Sequence, residues 1–189
     1  MANALTAARV LLTVPFALLM VRDDRASAVL AGLVLAAGIA TDVLDGLVAR
    51  RRAIASPIGT LFDHAADCLF VATGLAAGAA RGVFPWVLPV LVVAAFGQYL
   101  VDSYWVHRQR ALRASPLGRW NGILYFAPLG GDVLARAGAG TIRPVVTALA
   151  WILVLTTVLS MGERVWAVRR ASRRAPGSPA AGTADRPPR

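Results

Sequence analysis

Lysine is absent from this chain, and cysteine occurs once, at Cys68. A lone thiol excludes an internal disulfide and any cysteine-built metal site. The basic complement, 20 residues against 10 acids, is therefore all arginine and leaves a net charge of +10. Charge is nonetheless sparse, at 16% of residues. There is no soluble basic domain to carry nucleic acid, so no nucleic-acid partner is expected. There is no internal repeat, and 189 residues leave no room for a second globular unit beside one membrane domain.

What the chain has in quantity is apolar surface: 57% of residues are hydrophobic, with a mean hydropathy of +0.61. That composition suits an integral membrane protein. Stretches long enough to span a bilayer occur about six times, at residues 4–21, 27–50, 57–80, 84–106, 120–139 and 143–167. The expected fold is all-α and polytopic. The breaks carry punctuation: Arg22-Asp23-Asp24-Arg25, Arg51-Arg52 through Ser56-Pro57, Arg81-Gly82, His107 to Arg119, and Gly138 to Arg143. Pro57 after Ser56 is a start signal for the third segment. The fifth is diluted by Pro128, Gly130, Gly131, Asp132 and Arg136. The run LLTVPFALLM imitates a signal-peptide core, but Arg9 is the only basic side chain before it, and cleavage is not expected.

Arginine counts orient the chain. One side holds Arg51, Arg52, Arg108, Arg110, Arg113, Arg119 and the run Arg169, Arg170, Arg173 and Arg174. The other holds Arg22, Arg25, Arg81, Arg136 and Arg143, with Asp23 and Asp24 balancing two of them. Both termini and the loop around Arg51 are therefore expected in the cytoplasm, at the cell membrane. Residues 1–168 read as the membrane domain and 169–189 as a disordered basic tail near anionic lipid.

Against this background, the stretch from Asp42 to Asp67 reads DVLDGLVARRRAIASPIGTLFDHAAD. As spacing it is D-x2-D-G-x2-A-R-x8-G-x3-D-x3-D, filled by Asp42, Asp45, Gly46, Ala49, Arg50, Gly59, Asp63 and Asp67. An ionised Asp at mid-membrane costs roughly 2.5–3.5 kcal/mol on insertion scales. Four must be compensated, and divalent metal is the economical candidate. On a helix Asp42, Asp45, Gly46 and Ala49 share a face bordered by Arg50, and Gly59, Asp63 and Asp67 share another. A short loop makes the two helices antiparallel neighbours, so the four carboxylates are expected to meet at matching depth, roughly 8–15 Å from the cytoplasmic ends.

Carboxylate-only ligation selects hard cations, Mg²⁺ or Mn²⁺ (or Ca²⁺), and four carboxylates suit two ions. Such a site matches a pyrophosphate substrate. Gly46, Ala49 and Gly59 leave room for a nucleotide, and Arg50 offers a fork of donors to phosphate. Taken singly, the small residues would serve helix packing and Arg50 would snorkel to the interface. Two acids alone would make a proton relay. An ion-coupled carrier is the competing class, but it would show paired motifs in two halves, whereas this motif lies in one hairpin. A metal-binding protein without activity is a third reading.

At these residues the sequence resembles the CDP-alcohol phosphatidyltransferase family, matching all eight defining positions of its signature. The resemblance implies transfer of a phosphatidyl or similar group from CDP-diacylglycerol to an alcohol, with release of CMP. It also implies a homodimer, metal held by Asp42, Asp45, Asp63 and Asp67, and Asp67 as the general base for the acceptor hydroxyl. Gly46, Ala49 and Arg50 would line the cytidine diphosphate site, with Gly59 beside them.

The opening Asn3-Ala4-Leu5-Thr6, with Arg9 and Pro15, resembles the phosphatidylglycerophosphate synthase and cardiolipin synthase branches. Glycerol 3-phosphate is then the leading acceptor, with inositol phosphate, phosphatidylglycerol, serine and other alcohols as alternatives. Two sites depart from that branch: His64 and Cys68 stand where it tends to have Pro and Lys, and Gly118-Arg119-Trp120-Asn121-Gly122 stands where it has Gly-Lys-x-Lys-Thr. Without lysine, Arg110, Arg113 and Arg119 are the expected contacts to a phosphorylated acceptor. His64 reads as a packing group and Cys68 as apolar filler. Gln98 and Asp102 share a face of the fourth segment, where acceptor contact and an ion pair with arginine are both open. Asp132 and Arg136 form a structural i, i+4 pair.

The arginine asymmetry predicts that cysteines introduced near Arg51 or after Arg169, on a Cys68→Ala background, resist a membrane-impermeant thiol reagent in intact cells. Labelling from outside at either site overturns the orientation.

Overall fold

The computed structural model describes residues 2–52, 57–101 and 116–174. Among them there is no strand. Seven α-helices follow in order: α1 (Ala2–Val21), α2 (Arg25–Arg52), α3 (Pro57–Ala80), α4 (Val87–Val101), α5 (Pro116–Leu124), α6 (Phe126–Ala137) and α7 (Arg143–Arg174), with a 3₁₀ turn at Gly140–Ile142. The all-helical expectation holds.

Local chemistry sets the boundaries. Asp24 caps α2: its carboxylate accepts from the Ser27 amide at 2.8 Å, and its carbonyl accepts from the Ala28 amide at 3.0 Å. Hydrogen bonds from the Ser27 side chain and amide hold the Asp24 carboxyl below its ordinary value of 3.8. Pro57 opens α3, where its missing N–H costs nothing. At the other end of α3 the Val83 amide returns to the Gly78 carbonyl and the Gly82 amide to the Ala79 carbonyl. That is a Schellman close, and it requires the left-handed backbone of Gly82 (φ 75°).

The expected segment 120–139 is two helices. Pro128 has no N–H to offer the Leu124 carbonyl, and its ring crowds that carbonyl, so α5 stops at Leu124 and α6 restarts at Phe126. At the C-terminal end, α7 continues through the basic run to Arg174, past the expected boundary at 168. Arginine is a good helix former, and extending an existing helix is easy.

Among the described residues, the stretch Gly140–Ala167 alone has the length and apolarity of a membrane span, with a mean hydropathy of 2.1. Thr6–Val21, Arg25–Thr41 and Val87–Val101 are apolar but shorter. Six separate spans are therefore not evident from length and composition. The exterior is nevertheless strongly apolar, with Leu11, Val14, Leu18, Leu33, Val90, Val145 and Leu155 all exposed. The interior combines apolar side chains such as Phe16, Phe70 and Leu75 with buried polar groups such as Arg9, Thr13 and Asp132. Helix hydroxyls bond back to the preceding turn, as Thr13 does to Arg9 O and Thr41 to Gly38 O. An apolar exterior around internally bonded polar groups suits a bundle solvated by lipid.

α1 lies against both α2 and α3, α4 packs on α3 and α7, and α6 contacts α2, α3 and α7. The seam of α1 and α3 is built on Phe16 and Phe70, whose rings stack at 4.5 Å. Gly74 makes that approach possible, since a Cβ there would stand 2.5 Å from the Phe16 ring.

At the end of the bundle away from Asp63 and Asp67, a buried ionic cluster ties four elements together. Asp132 accepts from Arg81 Nη2 and, at 3.1 Å, from Arg136 Nε. The same guanidiniums cap α1: Arg81 Nε donates to Met20 O at 2.6 Å, and Arg136 Nη1 donates to Arg22 O at 2.9 Å. The structural reading of the Asp132–Arg136 pair holds, with Arg81 as its third member. Asp23, largely exposed, joins at the rim through Arg81 at 3.2 Å.

Asp132→Ala strands two buried guanidiniums and is expected to cost about 3–5 kcal/mol in unfolding measurements in mixed micelles. Asp23→Asn, at the exposed rim, is expected to change stability by less than about 1 kcal/mol. Equal effects would show that burial does not govern this cluster.

Candidate active site

The motif divides between α2 and α3. α2 runs unbroken from Arg25 to Arg52, so Asp42, Asp45, Gly46, Ala49 and Arg50 occupy successive turns of one helix, as expected. Their side chains lie outside the described residues, as do Arg110, Arg113, Asp102 and the tail beyond 174. On α3, Gly59, Asp63 and Asp67 follow at one-turn intervals, all partly exposed. Among the described residues no group of three or more acid, histidine or cysteine side chains lies together, so the described part of the metal constellation is the Asp63–Asp67 pair.

That pair is held by a residue which sequence reasoning did not assign to the site. Arg9 projects from α1, and its Nη1 donates to Asp63 Oδ1 at 3.0 Å and to Asp67 Oδ1. Arg9 is 1% exposed, while the two carboxylates retain 27% and 30% of their side-chain surface. The guanidinium is thus sealed into the α1–α3 seam, and the aspartates face outward from it with oxygens still accessible. One nitrogen shared by two carboxylates draws both Oδ1 atoms to one point, which offsets their mutual repulsion. The signal was present in the sequence: an arginine inside an apolar segment must find an anion.

The flank of α3 next to this pair is also polar. His64 is exposed, with its ring stacked 6.2 Å from that of Tyr99, in keeping with a packing role. Cys68 is a free, half-buried thiol packed against the core, as expected of filler. Gln98 Nε2 donates to Met161 O at 3.0 Å, joining α4 to α7. Arg119 is exposed on α5, while Asn121, two residues on, is buried.

The accessible carboxylate oxygens of Asp63 and Asp67 are of the type that suits hard divalent ions. The family model described as CDP-alcohol phosphatidyltransferase matches residues 1–161. The chain is also similar to a cardiolipin synthase (CMP-forming) of Oryza sativa subsp. japonica, at 27% identity over 152 residues. That match takes in 72% of this chain and 45% of the relative, so the chain spans less than half the relative's length.

A double-mutant cycle with Arg9→Ala and Asp67→Ala is expected to show non-additive losses of stability, with a coupling of about 0.5–3 kcal/mol. Additive losses would remove Arg9 from the site.

Proposed function

Because the chain belongs to the CDP-alcohol phosphatidyltransferase family, we propose that it is a membrane enzyme of phospholipid synthesis. It transfers the phosphatidyl group of CDP-diacylglycerol to an alcohol and releases CMP. The observation that carries this reading is the complete eight-position aspartate motif within the matched region, with Asp63 and Asp67 converging on one face of α3. Glycerol 3-phosphate is the proposed acceptor. The head group of phosphatidylglycerol is a second, favoured by the similarity to a cardiolipin synthase.

Asp42, Asp45, Asp63 and Asp67 would hold Mg²⁺ or Mn²⁺, as two ions. Bound metal supplies charge neutralisation to the pyrophosphate. The remaining roles fall to the chain's own residues. Gly46, Ala49 and Gly59 leave space for the nucleotide, and Arg50 donates to its phosphates. Asp67 accepts the proton of the acceptor hydroxyl as that oxygen bonds to the phosphorus carrying the diacylglycerol. The phosphorus–oxygen bond to CMP breaks in the same transfer, and CMP leaves with the electron pair. Arg9 orients Asp67 for this task through the shared hydrogen bond. Arg110, Arg113 and Arg119 draw a phosphorylated acceptor to the cytoplasmic mouth.

The family's architecture supports six membrane passages, with α5 and α6 together forming the fifth. Both termini and the site then face the cytoplasm, lipids surround the bundle, and the enzyme is a homodimer.

Purified protein with CDP-diacylglycerol and glycerol 3-phosphate is expected to release CMP only with Mg²⁺ or Mn²⁺; full activity in excess chelator would sink the metal assignment. Asp67→Asn is expected to keep CDP-lipid binding while turnover falls at least ~100-fold. If binding and turnover disappear together, Asp67 is a ligand and not the base.

A further inference from the structure

α7 outruns the hydrocarbon core of a bilayer. Its apolar stretch Gly140–Ala167 holds 28 residues, about 40 Å of helix against a hydrocarbon thickness of about 30 Å. Arg169, Arg170, Arg173 and Arg174 follow on the same unbroken helix. They stand about 3–10 Å beyond Ala167, at the level of the lipid head groups. The bundle takes one side of this helix. Ala150, Leu153, Thr157 and Ser160 are buried, and the Arg164 guanidinium lies 5.2 Å from the centre of the Tyr99 ring.

The four arginine positions belong to the other side. At about 100° per residue, positions 169, 173, 170 and 174 fall within a sector of about 140°, centred about 150° round from position 164. Followed back along the helix, the same sector holds Trp166, Leu159 and Leu155, all exposed, and Arg169 itself is exposed. Gly162 lies in this sector one turn before Trp166, exposed and with open space where a Cβ would stand. It leaves a notch in the helix surface below the indole. One continuous outward face thus runs from apolar side chains, past an indole of the kind that sits at membrane boundaries, into four cationic positions.

This stretch of chain holds little charge to answer them. No acid occurs between Glu163 and Asp185. Glu163, exposed at the edge of the sector, precedes Arg170 by two turns, about 10 Å. Arg169 with Arg173, and Arg170 with Arg174, are like-charge i, i+4 pairs, which repel on an isolated helix. The helix dipole favours cations only within its last turn and is screened by salt. An anion between the two pairs converts their repulsion into shared attraction, and phosphate oxygens match the guanidinium fork. We propose that this outward face of α7 is a binding site for an anionic phospholipid. The acyl chains lie along Leu155, Leu159 and the notch at Gly162, and the phosphate sits among the four arginine positions above Trp166. A zwitterionic lipid offers the same chains, but its ammonium group opposes the cations, so the face selects net negative head groups. The inference does not rest on the proposed transfer reaction.

The test follows thermal unfolding of the full-length protein in neutral-detergent micelles, in chelator and without substrate. The probes are dioleoyl phosphatidic acid, which carries no alcohol group to act as acceptor, dioleoyl phosphatidylcholine with the same chains, and inorganic phosphate. Phosphatidic acid is expected to stabilise the wild type, less so as salt is raised, while the other two give no comparable gain. The paired variants Arg169→Gln with Arg173→Gln, and Arg170→Gln with Arg174→Gln, are each expected to weaken that apparent affinity about tenfold or more. Gly162→Leu, which fills the notch without changing charge, is expected to weaken it as well. Arg22→Gln with Arg25→Gln, which removes two exposed arginines at the opposite end of the bundle, is expected to leave it within about twofold. Equal stabilisation by phosphatidylcholine overturns the selectivity, and equal stabilisation by inorganic phosphate overturns the lipid. Full affinity in both α7 pairs, or an equal loss in the Arg22 and Arg25 pair, overturns the site. Should one α7 pair fail to fold, the other decides. Every readout is taken without turnover, so a failure to release CMP counts against the transfer reaction and not against this site.

Discussion

Charge inside an apolar bundle must be answered by opposite charge, and the rest of this structure is arranged around that requirement. Arg9 is 1% exposed and survives there because Asp63 and Asp67 both accept from one of its nitrogens. The same rule operates at the far end, where Asp132 stands between Arg81 and Arg136. Between these two ionic centres the contacts are apolar and close, set by the Phe16–Phe70 stack and the glycine beneath it. The ions thus set where helices meet, and the small and aromatic residues set how closely.

α1 has a double role in that plan. Its N-terminal half carries the cation that organises the α3 carboxylates, and its C-terminal half ends in carbonyls capped by Arg81 and Arg136. A helix pinned at both ends by guanidiniums gives α3 a rigid backing, and α3 in turn carries two chemistries on adjacent flanks. Asp63 and Asp67 face Arg9, while the His64 ring stacks on that of Tyr99. The single-residue offset between these flanks brings an acidic face beside an aromatic one.

Much of this is legible in the sequence because it depends on local pattern. Apolar runs broken by arginine, Pro57 at a helix start and the spacing from Asp42 to Asp67 each declare themselves within a few turns. What the sequence conceals depends on distant partners. Arg9 reads locally as the basic edge of an apolar segment, and its carboxylates lie 54 and 58 residues further on. Asp132 pairs visibly with Arg136 four residues later, but Arg81 joins from another helix. The break at Tyr125 was foreshadowed by Pro128, yet a dilute apolar run gave no reason to prefer two helices over one. Gln98 and Asn121 are unremarkable polar residues until packing deprives them of water.

Arg9 also has a bearing on how the bundle is made. α1 leaves the ribosome before α3, and it does so carrying a guanidinium whose anions do not yet exist. The carbonyl of Arg22 at its C-terminal end waits longer still, since Arg136 lies 114 residues further on. A helix synthesised ahead of its partners is therefore completed only when they arrive. During that interval Arg9 must stay near water or the lipid head groups. The final seating of α1 is thus coupled to the arrival of α3 and then α6.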